Sequence, residues 1–192
     1  MLFHISLPLL LIFSSCSLFD NEPKPLEPIP TFFYAQINGE RFDANRASAS
    51  MSSSNNKSFL NFSGSYSDDN LFPFTKKILF LMVYNDTSNN YSLHFDSALS
   101  NDIGFNVPVG SYYENDGDVI ISDYQAPDDS DGFVSVELEE LEDGRKTISG
   151  TFEMTVYLKK RINTAFPQQE QDTLHITNGK YLLELRDFRK EE

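Results

Sequence analysis

The chain has 192 residues, with 29 acidic against 15 basic side chains, a net charge of −14, three histidines and a single cysteine. That balance disfavours nucleic-acid binding, because phosphate contacts need Lys and Arg. One cysteine forbids an intrachain disulfide and leaves zinc sites built from His and Cys short of ligands.

Residues 1–15 carry an apolar run from Ile5 to Phe13, followed by Ser14, Ser15 and then Cys16. The run has the length of a signal-peptide h-region. It falls well short of the roughly 20 apolar residues a bilayer span needs, and Pro8 would interrupt a buried core helix. An apolar segment closed by two small residues and a cysteine resembles a bacterial lipoprotein signal. The resemblance implies a signal peptide removed at residue 15. It also implies a lipidated Cys16 carrying a thioether-linked diacylglyceryl group and acyl chains such as palmitate. A thiolate is the nucleophile that such chemistry requires, and two or more chains hold a protein stably where one anchors it marginally. The residues before the run include no Lys or Arg, and Phe13 stands where such signals usually carry Leu. A start codon further upstream would supply the missing charge.

Residues 16–30 form the next unit, in which Pro23, Pro25, Pro28 and Pro30 account for four of the nine prolines. Such a run favours extended polyproline II, rising about 3.1 Å per residue, and acts as a semi-rigid tether of roughly 30 Å. Asp20 and Glu22 resemble only weakly the acidic surface-export signals of some lipoproteins.

Residues 31–192 read as one β-rich domain. Asn38-Gly39 predicts a turn between strands at Phe32 to Ile37 and Glu40 to Ala44. Ala49 to Lys57 is polar and reads as a loop before a strand from Ser58 to Tyr66. Ile78 to Tyr84 is almost continuously apolar, as a central strand buried on both faces would be. Asn85 to Asn90 reads as a loop and Tyr91 to Phe95 as a strand. Asp116-Gly117 predicts a turn between Gly110 to Tyr113 and Val119 to Tyr124. In the stretch Phe133 to Leu141, Val134, Val136 and Leu138 alternate with Ser135, Glu137 and Glu139. Ile148 to Leu158 repeats that period of two, with Phe152, Met154 and Val156 on one face. Asp143-Gly144 between them is a type I′ signal. Lys159 to Asp172 is the longest predicted loop, with an apolar Phe166-Pro167 tip. Asn178-Gly179 predicts a last turn between Leu174 to Thr177 and Lys180 to Asp187. No capped amphipathic helix follows the signal. The expectation is an all-β fold, a single antiparallel β-sandwich or up-and-down β-barrel of about ten strands.

From Glu114 to Asp143 there are twelve carboxylates and no Lys or Arg. The simplest reading is a solvated acidic face; attraction of a basic partner is another. No cofactor is expected, calcium being the one alternative. Its candidate ligands are Asp116, Asp118, Asp128, Asp129 and Asp131, since hard cations take carboxylate oxygens from flexible loops. EF-hand spacing fails at both glycines: aligning Gly117 puts Tyr112 at the first ligand position, and aligning Gly132 puts Leu138 at the last. His175 is expected to point outward, opposite Leu174 and Ile176. Tyr112, Tyr113 and Tyr124 are either edge-packed residues or rings for stacking on a sugar or partner. No nucleophile elbow, metalloprotease helix or phosphate-binding glycine loop is present.

Four segments resemble an uncharacterised Bacteroidota-type family of β-rich lipoproteins, a domain of unknown function. They are Phe33 to Ala44, Val-Gly-Ser-Tyr at Val109 to Tyr112, Ile-Ser-Gly-Thr-Phe at Ile148 to Phe152, and Ile-Thr-Asn-Gly-Lys-Tyr at Ile176 to Tyr181. These are turn and strand residues, so the resemblance carries over no activity. It implies O-glycosylation candidates at Ser97 and Thr173, within Asp-Ser/Thr-aliphatic triplets. The expected function is a lipid-anchored, non-enzymatic binding or structural component of the cell envelope. It would be held to the outer membrane through Cys16, face the periplasm or the exterior, and meet a protein or glycan partner. The alternatives are a calycin-like carrier enclosing an apolar ligand and a hydrolase using two carboxylates.

Overall fold

The computed structural model describes residues 25–54, 56–68, 74–84, 90–92, 110–117, 119–126, 132–161 and 172–189. These residues form twelve strands and no helix: β1 (Phe32–Ile37), β2 (Glu40–Asp43), β3 (Arg46–Ser54), β4 (Lys57–Ser67), β5 (Phe74–Tyr84), β6 (Asn90–Ser92), β7 (Gly110–Asp116), β8 (Val119–Gln125), β9 (Phe133–Ser135), β10 (Glu137–Glu140), β11 (Lys146–Arg161) and β12 (Thr173–Asp187). The all-β expectation holds, with two more strands than expected.

Strand pairing runs β3 to β4, β5, β7, β8, β11 and β12, and β12 returns to β3, so these seven strands make a closed circuit. Closure removes the open edges that a flat sheet would expose. Six of the joints are antiparallel. The seventh, β12 with β3, is parallel and short, pairing Leu185 with Ala49, Arg186 with Ser50 and Asp187 with Met51. The β1–β2 hairpin extends this arrangement from β12, and β9 and β10 line up on β11 opposite β12.

One continuous core fills the space between the strands. Period-two alternation places Leu60 and Phe62 of β4, Ile78, Phe80 and Met82 of β5, and Ile148, Phe152, Met154 and Val156 of β11 in it. At its centre the rings of Phe62 and Tyr181 lie 4.6 Å apart, Phe62 and Phe80 4.8 Å, Phe80 and Phe152 4.8 Å, and Phe33 and Phe152 5.2 Å. Each such side chain contributes about 1.5–3 kcal/mol by leaving water, and offset ring pairs add to that. The Tyr181 hydroxyl donates to the Ser135 carbonyl at 2.6 Å, which satisfies the one polar atom this ring brings inside.

Several expectations are corrected. The Ser-rich stretch Ala49 to Lys57 is not a loop: most of it is strand β3, which turns into β4 at Asn56. Ala49 and Met51 face the core while the serines around them face outward or to the rim, and a count of apolar residues hides that period. In β5 only alternate residues are fully buried, with Leu79, Leu81 and Val83 half-buried. Strand β11 continues to Arg161, three residues into the predicted loop. Phe166 and Pro167 lie outside the described residues.

The turn signals differ in outcome. Asn38 (φ 51°) and Gly39 (φ 85°) both have positive φ, the type I′ requirement. At Asp143-Gly144 only Gly144 does (φ 81°); Gly144 N–H donates to the Leu141 carbonyl and Leu141 N–H to the Arg145 carbonyl. The hairpin is therefore a three-residue loop with a glycine bulge and not type I′. Asn178-Gly179 makes no turn at all. Strand β12 runs straight through it, and Asn178 (φ 53°) is an extra residue that shifts the register against β1 and β11 at the same point. Asn tolerates the left-handed region, and the pair is a β-bulge.

Candidate functional site

The end of β12 and the start of β11 enclose an open groove of about 540 Å³, lined by Gly144, Arg145, Lys146, Glu184, Leu185, Asp187 and Arg189. Strand pairing builds it. Lys146 pairs with Leu185 and Thr147 with Glu184, so the first residues of β11 lie against the last residues of β12. Phe188 N–H then donates to the Met51 carbonyl at 2.7 Å, which carries the chain past β3 and brings Arg189 back to the groove.

Asp187 organises one wall. Its carboxylate accepts Arg189 Nε–H at 2.9 Å, Arg189 Nη2 at 2.7 Å, Lys146 Nζ at 3.1 Å and the Arg189 backbone N–H at 3.1 Å. The Arg189 guanidinium, chiefly, holds this carboxyl well below the ordinary carboxylate range, against the opposing effect of burial. It stays ionised at any pH near neutrality. On the other wall Arg145 donates Nε–H to Asp143 at 2.8 Å, and the pair lowers the pKa of Asp143.

The residues singled out from sequence lie elsewhere. Asp116 ends β7, exposed, while Asp118, Asp128, Asp129 and Asp131 lie outside the described residues. Among the described residues no group of three or more His, Cys, Asp or Glu is placed to hold a metal ion. Cys16 and Ser97 also lie outside them. Thr173 opens β12, half-buried, paired with Tyr157. His175 is exposed between buried Leu174 and Ile176, with Nδ1 3.2 Å from Thr155 Oγ1. Tyr112 and Tyr124 are 1 % and 2 % exposed and belong to the core, so neither offers a ring for stacking on a sugar or partner. The Tyr112 hydroxyl donates to Glu114 Oε1 at 2.8 Å, and burial, reinforced by the Glu114 charge, pushes its pKa far up. Ser122 Oγ stands 3.4 Å from the other Glu114 oxygen.

Sequence reading passed over the groove because the pairing of the segment Lys180 to Asp187 with the start of β11 joins distant segments and leaves no local signal of pairing. Pairing of β11 with the end of β12 brings Glu184 to Asp187 beside Arg145 and Lys146. The available signal was electrostatic: Arg145 and Lys146 follow immediately after the twelve-carboxylate block, and Arg186, Arg189 and Lys190 cluster at the carboxyl end.

Comparison of the chain with family models, with curated proteins and with solved structures finds no match.

Proposed function

We propose that this chain is a lipid-anchored β-domain of the cell envelope, held to the outer membrane through Cys16 and acting as a non-catalytic binding or structural component. The observation that carries the reading is the order Ile5 to Phe13, Ser14-Ser15-Cys16, proline tether, folded domain. An apolar run too short to span precedes the one nucleophilic thiol, and an extended spacer follows it. The resemblance to envelope lipoproteins points the same way.

The domain's filled interior supports a non-carrier role. Phe33, Phe62, Phe80, Phe152 and Tyr181 occupy the centre, where an enclosed apolar ligand would sit. At the groove, Asp187 is neutralised by two cations and lies too low in pKa to act as a general acid near neutral pH.

Mass spectrometry of membrane-extracted full chain tests the anchor. A mature N-terminus at Cys16 with a diacylglyceryl modification is expected, together with release of a Cys16→Ala variant into the soluble fraction. An unmodified Cys16, or firm membrane retention of the variant, overturns the reading.

A further inference from the structure

The groove between β11 and β12 balances its charges. Its lining holds Arg145, Lys146 and Arg189 against Glu184 and Asp187, and Asp143, ion-paired with Arg145 at 2.7 Å beside the lining, brings the described charges to three and three. The cationic side chains are held in place by ion pairs, with Arg145 21 % exposed, Lys146 30 % and Arg189 25 %. Ordering them costs a ligand little, because most of that entropy is lost in the free protein.

Hydrogen-bonding capacity remains at three of these positions. A guanidinium has five N–H donors, and Arg145 directs only Nε and one Nη2 donor at Asp143. An ammonium has three, and Lys146 Nζ makes one carboxylate contact. The Glu184 side chain is exposed on β12, interacts electrostatically with Arg145, and makes no side-chain hydrogen bond among the described residues. Donors from Arg145 and Lys146 thus stand beside the Glu184 carboxylate in a cleft where, among the described residues, Leu185 is the one apolar side chain of the lining.

An anion entering here meets the carboxylates of Glu184 and Asp187 beside three cations, one of them already paired with Asp143, and a cation meets the converse. An apolar molecule would strip water from charged groups without replacing it. A hydroxyl group both donates and accepts, so adjacent hydroxyls match an alternation of donor and acceptor, and a neutral ligand incurs no net charge penalty. A volume of about 540 Å³ lies within the roughly 300–1,000 Å³ of small-molecule sites. We propose that this groove binds a neutral polyhydroxylated ligand of saccharide type through Arg145, Lys146 and Glu184. The proposal deepens the binding-component reading and rests on it.

The test is a titration of the full chain, isotope-labelled for amide NMR, with neutral trisaccharides of glucose, xylose, mannose and galactose at millimolar concentration. Trigalacturonate and inorganic phosphate serve as charged probes. At least one neutral trisaccharide is expected to shift the amides of Gly144, Arg145 and Glu184 saturably. Glu184→Ala is expected to weaken that binding about tenfold, the scale of one hydrogen bond to a charged group, with an unchanged melting temperature. Silence from the whole neutral panel, shifts mapping away from the groove, or a response confined to trigalacturonate or phosphate overturns the proposal. Acylation at Cys16 is read separately by mass spectrometry, so loss of the sugar site and loss of the anchor are distinguishable.

Discussion

Asp187, the last residue of β12, accepts the ammonium of Lys146, the first residue of β11, at 3.1 Å across 41 positions of sequence. The same residue pairs with Met51 of β3. One carboxylate therefore fastens the long β11–β12 pair at the point where the circuit closes through its short parallel joint.

Asp187→Asn should lower stability by about 1 kcal/mol at pH 7, the upper end for partly exposed ion pairs. The pH dependence has a definite sign. The folded pKa lies below its unfolded value, so the stabilisation is fully present above the ordinary carboxylate pKa. It is lost progressively as pH falls from about 5 toward the acid extreme. Urea midpoints at pH 7 and pH 3 should show the gap between parent and variant narrowing at pH 3. A gap that widens on acidification would contradict the assignment.

Gly179→Ala should destabilise by about 1–3 kcal/mol, the cost of overpacking a filled core. A Cβ at this position would stand 2.5 Å from three atoms of the Phe152 ring, which is fully buried and has no room to yield. By contrast Asn178→Gly keeps the left-handed backbone and should change the thermal midpoint little, since glycine adopts positive φ freely. Thermal unfolding of the two variants side by side checks the bulge.

Tyr181→Phe removes the 2.6 Å hydrogen bond to the Ser135 carbonyl while keeping the ring stack. The expected loss is about 1–1.5 kcal/mol. Amide exchange should quicken in β9, and similar acceleration across all strands would mean the bond is not local in its effect.

Phe62→Ala opens a hole between Phe80 and Tyr181 in the centre of the core. A loss of about 3–5 kcal/mol is expected by chemical denaturation. A loss under about 1 kcal/mol would indicate that the interior is loosely filled, as a carrier would need.

Much of the fold was legible because it rests on local chemistry. Alternation in Ile148 to Leu158 and in Val134, Val136 and Leu138 reported strands and their inward faces. Asn38-Gly39 reported a hairpin. What failed did so where the local signal has two solutions. Asn-Gly suits a type I′ turn, yet it also suits a bulge when both neighbouring strands skip the extra residue, as β1 and β11 do at Asn178. Serine-rich β3 looked like a loop because its core-facing positions are only Ala49 and Met51.

The sequence by itself determined an all-β fold, the outward face of His175, and the single cysteine between an apolar run and a proline-rich stretch, because each depends on residue type and spacing within one segment. Tertiary structure alone decided the closed circuit, the burial of Tyr112 and Tyr124, and the meeting of Arg145 and Lys146 with Glu184, Asp187 and Arg189. Those contacts join residues about 40 positions apart, and only the pairing of β11 with β12 sets which of them face each other.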